Sequence, residues 1–129
     1  MDKKITVAII EDEEMLLFAI KTKMENDGLN TISFSSAKEA IESLKKNEVV
    51  PDIIWLDYYL KDMNGIEFMH EIKKEDKLSN IPVIVVSNSA SDEKISAMVA
   101  LGVKKYFLKA DHRLEDMISE LKEIVKNGQ

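Results

Sequence analysis

Two hydrophobic periods alternate along the chain. Short apolar runs, Thr6 to Ile10, Asp52 to Leu56, Pro82 to Val86 and Val103 to Leu108, are rich in β-branched or aromatic residues and show little in/out alternation. That is the pattern of strands buried on both faces. A weaker run, Asn30 to Phe34, completes five. Between the runs the spacing changes to three and four. Leu16, Ile20 and Met24 predict a first helix, Ala37, Ala40, Ile41 and Leu44 a second, Phe68, Met69 and Ile72 a third, and Ile95, Met98 and Val99 a fourth. The clearest is the fifth, through Leu114, Met117, Ile118, Leu121, Ile124 and Val125.

Punctuation agrees with the two periods. Ser36 with Glu39 and Asn64 with Glu67 have the spacing of capping boxes, and Gly28 and Gly102 stand where helices should stop. The predicted order is therefore (βα)5, an α/β fold. Such alternation requires a doubly wound five-stranded parallel sheet, with right-handed crossovers placing helices on both faces. No repeat, low-complexity tract or Pro/Gly/Ser-rich linker interrupts the 129 residues, so a single domain over residues 1–129 is expected. The last segment, Glu123 to Gln129, runs out of its helix without a linker, which predicts a complete stand-alone protein.

Composition narrows the function classes. The chain is 45% hydrophobic and 33% charged, the balance of a globular domain, and its net charge of −6 repels nucleic acid and anionic lipid. It has no Cys, which rules out thiol, disulfide and zinc-thiolate chemistry. The apolar run from Ile5 to Ile10 meets four acidic residues, too soon for a signal peptide, and no run reaches membrane-spanning length. A cytoplasmic location is expected, with proteins or cations as partners.

Candidate chemistry collects at the strand ends. In an open parallel sheet the binding crevice lies beyond the carboxyl ends of the strands. Strand one delivers Glu11 and Asp12 there, strand three Asp57, strand four Ser87 and strand five Lys109. Each alone has an ordinary explanation: Asp12 as a helix cap, Ser87 as a turn hydroxyl, Lys109 as a solvated charge. Together they do not. Two carboxylates about 4 Å apart repel by about 4 kcal/mol at an effective dielectric of 20, so three at one edge need compensating positive charge. Lys109 supplies part, and a hard divalent cation is the natural remainder. All-oxygen donors in small number suit Mg²⁺, which keeps several of its waters. The two histidines, His70 and His112, fall in predicted helical stretches and read as surface residues.

Four segments, VAIIEDEE, DIIWLDYYLKDMNG, PVIVVSNSA and YFLKA, resemble in order and spacing the motifs of response regulator receiver domains of two-component signalling. The resemblance spans essentially the whole chain. It implies a flavodoxin-like sheet of strand order 2-1-3-4-5 and a phospho-acceptor switch, not an enzyme, that takes a phosphoryl group from a histidine kinase or phosphotransfer protein on Asp57. It further implies that Asp12 and Asp57 bind Mg²⁺ directly with the backbone carbonyl of Tyr59, while Glu11 acts through a metal-bound water. Ser87 and Lys109 would contact phosphoryl oxygens, and Tyr106 occupies the aromatic switch position. Phosphorylation would then re-shape the face made by the fourth helix, fifth strand and fifth helix, to control a downstream protein.

Departures from the family pattern carry their own expectations. Ala110 follows Lys109 where the family has a cis-bonded Pro, and since a cis peptide before a non-proline costs about 3 kcal/mol, a trans bond and a less firmly aimed lysine are expected. Lys61 replaces a Pro after Leu60, which predicts a looser loop. Tyr59 and Ser89 stand two residues beyond Asp57 and Ser87, and a tyrosine ring there predicts slow self-hydrolysis; Asn88 would narrow access further. The main alternative is a pseudo-receiver, an interaction module that keeps the fold without using phosphate. An Asp-nucleophile phosphohydrolase would need a second Asp at position 59, and a flavin carrier would need a phosphate-cradling turn in place of the acidic residues 11–14.

Overall fold

Five strands, β1 (Thr6–Ile10), β2 (Asn30–Phe34), β3 (Ile53–Asp57), β4 (Val83–Ser87) and β5 (Lys105–Leu108), form one parallel sheet in the order β2-β1-β3-β4-β5. These coordinates come from a computed structural model that describes residues 4–46, 50–89 and 91–128; Ala90, the end of the PVIVVSNSA motif, and Gln129 lie outside them. Among the described residues six α-helices surround the sheet: α1 (Glu14–Asn26), α2 (Ala37–Lys45), α3 (Gly65–Lys73), α4 (Asp76–Ser79), α5 (Asp92–Ala100) and α6 (Leu114–Asn127). The fourth and fifth expected helices are thus α5 and α6. The additional α4 is a single turn, too short to carry a periodic signal, and it buries Leu78.

The missing in/out alternation has a direct cause. Val7, Ile9, Ile53, Trp55, Ile84, Val86 and Phe107 pack on one face against Ile20 and Met24 of α1 and Met117, Ile118, Leu121 and Val125 of α6. Ala8, Ile10, Ile54, Leu56, Val83 and Val85 pack on the other against α2, α3, α4 and Met98 of α5. With both faces covered, successive residues of β3 and β4 are all buried, and apolar side chains are favoured at odd and even positions alike.

Helix ends follow their local chemistry. Asn64 and Glu67 form the full reciprocal capping box of α3, each side chain bonded to the other's amide. Ser36 accepts from the Glu39 amide, but the Glu39 carboxylate takes the Ser35 hydroxyl instead of closing the box. The N-terminus of α2 gains a second acceptor from elsewhere in the chain, since both oxygens of Asp62 receive its first amides, from Ala37 and Lys38. Gly28 and Gly102 take φ of 88° and 95° just beyond α1 and α5, a region open to glycine without a steric cost.

Register sets the site. Leu56 pairs with Ile10, Asp57 with Val86 and Ser87 with Leu108. Glu11, Asp57, Ser87 and Lys109 therefore leave four adjacent strands at nearly one level.

Candidate functional site

Three carboxylates meet at this edge. Oxygens of Glu11, Asp12 and Asp57 all lie within 4.8 Å of one another. Glu11 is only 2% exposed: Oε2 accepts the Glu13 amide at 2.9 Å, whereas Oε1 has no hydrogen-bond partner. Asp12 is half-buried, and its Oδ2 accepts the backbone amide of Lys61 at 2.8 Å. Lys109, whose side chain is 23% exposed, places Nζ 3.8 Å from Glu11 Oε1 and also 3.8 Å from Asp57 Oδ1. These are ion pairs without close hydrogen bonds.

The electrostatics show that one ammonium is not enough. Burial, and next the charge of Glu11, raise the Asp57 carboxyl from 3.8 to about 6, although Lys109 and the Tyr59 amide pull the other way. Glu11 is raised too, chiefly by burial, against the Glu13 amide and Lys109. Burial first, and repulsion among the carboxylates after it, disfavour the charged forms, and Lys109 does not offset both. An orphaned buried oxygen on Glu11 and an all-oxygen donor set fit a hard divalent cation of the Mg²⁺ type.

Ser87 is fully buried at the end of β4. Its Oγ donates to the carbonyl of Ser89 at 2.7 Å and accepts the Ser89 amide at 3.2 Å, a closed turn at the start of the β4–α5 loop. Tyr106, half-buried on β5, donates its hydroxyl to the same Ser89 carbonyl at 3.1 Å, and its ring centroid lies 6.3 Å from that of Tyr58. The two expected switch residues therefore share one acceptor.

Tyr59 opens the β3–α3 loop, where its backbone forms an isolated bridge with Asn64. Its ring points outward, 46% exposed, and the phenol oxygen accepts from Ser89 Oγ at 3.3 Å and from the Lys94 ammonium. Lys94 holds the Tyr59 phenol below its ordinary pKa, and the phenol in turn raises that of Lys94.

Two expectations change in detail. The loop after Asp57 is tied by the Lys61 amide to Asp12 and by the Asp62 carboxylate to α2. Proline at 61 has no N–H and could not make the first of these bonds, so Lys61 anchors the loop rather than loosening it. Every peptide among the described residues is trans, the Lys109–Ala110 bond included, and Lys109 begins a 3-10 turn through Asp111. His70 and His112 are exposed, but His112 sits in extended backbone between that turn and α6, not in a helix. Lys94 and Asp62 escaped sequence reasoning because their partners lie far along the chain, 35 residues away for Tyr59 and 24 for Lys38.

A model of the response regulator receiver domain matches residues 7–122, and the chain belongs to that family. The response regulator protein VraR of Staphylococcus saprophyticus is 31% identical over 107 residues, which cover 81% of this chain and 49% of VraR. The chain thus spans about half the length of the curated relatives it matches first. Among solved structures, a CheY-like receiver domain protein from Methanospirillum hungatei superposes with a TM-score of 0.84 at 21% identity, covering 98% of this chain and 97% of that one. The phosphorylated cyanobacterial phytochrome response regulator RcpA superposes with a TM-score of 0.77 at 28% identity, covering 97% and 91%.

The expected flavodoxin-like order 2-1-3-4-5 is the observed one, and the resemblance read from four motifs is the family found by comparison. Receiver domains are signalling switches of two-component systems, not conventional enzymes, and response regulators interact with histidine kinases and downstream effectors. The family usually binds Mg²⁺ through acidic residues, and here Glu11, Asp12 and Asp57 form the acidic cluster. No helix among the described residues is long and apolar enough to cross a membrane.

Proposed function

We propose that residues 1–129 form one receiver domain in which Asp57 accepts a phosphoryl group from a histidine kinase or phosphotransfer protein, in a Mg²⁺-dependent reaction. The observation that carries this reading is the Lys109 ammonium set 3.8 Å from both Glu11 and Asp57 above a buried carboxylate cluster. RcpA, whose fold this chain shares, was crystallised in its phosphorylated form, which supports the assignment.

In the reaction an Asp57 carboxylate oxygen attacks phosphorus, the phosphorus–nitrogen bond of the donor phosphohistidine breaks, and the imidazole leaves with the electron pair. Asp12, Asp57 and the Tyr59 backbone carbonyl would hold Mg²⁺ directly, and Glu11 through water. The ion supplies charge that neutralises the transferring oxygens. Lys109 offers an ammonium to one phosphoryl oxygen and Ser87 its hydroxyl to another.

Ser87 cannot serve the phosphoryl group while it donates to the Ser89 carbonyl. Phosphorylation draws that hydroxyl away, leaving Tyr106 as the remaining side-chain donor to Ser89, and the β4–α5 loop resettles with the Tyr106 ring. The surface of α5, β5 and α6 changes with it, and a partner protein that binds one form better reads the difference.

The test is intact mass after incubation with Mg²⁺ and a small acyl-phosphate donor. One phosphoryl group on wild type and none on Asp57→Asn is expected. No gain on either protein contradicts the reading and favours a pseudo-receiver, and continued turnover of the donor favours a phosphohydrolase.

A further inference from the structure

We propose that the outward face of α1 is a docking surface for a second copy of this chain, with the two α1 helices lying antiparallel across a two-fold axis. The inference stands independently of the phospho-acceptor reading.

α1 carries two apolar stripes where the core uses one. Leu17, Ile20 and Met24 turn inward and join the cluster between the sheet and α6. Met15, Phe18, Ala19 and Thr22 repeat at i, i+3, i+4 and i+7 on the other side, and all four are exposed. Met15 is 83% and Phe18 59% exposed, whereas the other large exposed apolar residues, Val50, Tyr59 and Val99, stand on three separate elements. Two such side chains one turn apart on a single helix face mark an interaction surface more than scattered ones do.

Charge selects the occupant. The middle of the stripe is uncharged, Glu14 lies at its start, and Lys21 and Lys23 follow about two turns, or about 10 Å, further on. Among the described residues neither Glu14 nor Lys23 forms an ion pair. Antiparallel pairing about an axis near Phe18 sets Glu14 of each copy over the Lys21–Lys23 turn of the other, so the complementary contact is made twice. Parallel pairing would set Glu14 against Glu14. A uniformly acidic or basic partner is repelled at one end of the stripe, whereas the stripe's own reverse matches it at both.

Shape agrees with self-pairing. Beside the Phe18 ring runs a groove of about 760 Å³, lined by Met15, Ala19, Thr22 and, from the start of α6, Leu114. Knob and hole thus sit on one surface, as a two-fold contact between identical patches requires. The association is a weak one, because a single helix face offers less area than a standard interface. The net charge of −6 on each chain also opposes approach, although physiological salt screens that repulsion beyond about 8 Å.

Sedimentation equilibrium of the full, unphosphorylated chain at physiological salt is the test. The mass of wild type should rise from 14.7 kDa towards twice that value as its concentration goes from about 10 μM to about 1 mM, the range of a small interface. Phe18→Ser and Met15→Ser should stay at the mass of one chain while melting at the wild-type temperature, since both side chains are mostly exposed. Charge reversal then reads the orientation. Glu14→Lys and Lys21→Glu/Lys23→Glu should each stay single, because like charges meet at both ends of the stripe, and an equimolar mixture of the two should pair, because every end then meets its opposite. A wild type that stays at the mass of one chain throughout overturns the proposal in favour of a different occupant of the face. Pairing that survives in both Phe18→Ser and Met15→Ser overturns the α1 surface, and a mixture that stays single while wild type pairs overturns the antiparallel contact.

Discussion

Ser87 and Tyr106 donate their hydroxyls to one backbone oxygen, the carbonyl of Ser89, from strands β4 and β5. A change in either bond is therefore felt by the other residue without a longer chain of contacts. Ser87→Ala removes the donor proposed for the phosphoryl group and should slow loading of Asp57 by up to about 100-fold. The loaded variant should also leave the Tyr106 ring resonances near their unphosphorylated positions, where wild type shifts them. Side-chain NMR of both proteins checks this; an equal shift in Ser87→Ala breaks the proposed link.

Stability without metal should depend on pH through Asp57. Its folded carboxyl, raised to about 6, binds a proton more tightly than the unfolded chain's at 3.8. The group's contribution is fully present below the unfolded value and is lost as pH rises through 6, a cost on the order of 3 kcal/mol at pH 7.5. Asp57→Asn should therefore be more stable than wild type at pH 7.5 in the presence of a chelator, with the gap narrowing towards pH 4. Urea unfolding at both pH values measures the gap, and a gap that widens on acidification contradicts the sign.

In the proposed site a cation and a phosphoryl group would place opposite demands on Lys109. Its ammonium lies 3.8 Å from both Glu11 and Asp57, so it repels a metal held by the same carboxylates. Lys109→Ala should bind Mg²⁺ at least as tightly as wild type, read as an equal or larger rise of melting temperature with added MgCl₂. The same variant should load from acetyl phosphate about 100-fold more slowly, as one charge on the developing oxygens is gone.

Gly65 is required by close approach, not by backbone angle. A Cβ there would lie 2.8 Å from Cδ2 of Tyr58 and 2.9 Å from Cε of Met98. Met98 can move its terminal methyl, but the Tyr58 ring is buried and stacked edge-on with Tyr59. Gly65→Ala should destabilise the fold by about 1–3 kcal/mol in denaturant unfolding, the usual cost of overpacking. A neutral result would mean that the ring yields freely.

Much of this was legible in the sequence, for identifiable reasons. Parallel strands covered on both faces must be apolar throughout, and the first polar residue marks the carboxyl edge, which is why Glu11, Asp57, Ser87 and Lys109 could be placed together. The polar ends also shifted the boundaries: Asp57 and Ser87 still pair in the ladder, so β3 and β4 run one residue later than their apolar runs. Val103 is buried yet outside β5, because its amide closes the end of α5 on the Met98 carbonyl. What sequence could not supply were contacts between segments distant along the chain. The Lys61 amide on Asp12 spans 49 residues, and Lys94 on Tyr59 spans 35; neither leaves a local pattern.

The central claim is that Asp57 is the atom-level acceptor, and its chemistry offers a direct measurement. Borohydride reduces an aspartyl phosphate to homoserine, so wild type loaded in Mg²⁺, reduced and digested should yield a peptide with homoserine at position 57. The same treatment with a chelator in place of Mg²⁺ should leave that position as Asp57. Homoserine at another carboxylate, or none in a protein that has gained phosphoryl mass, would contradict the account.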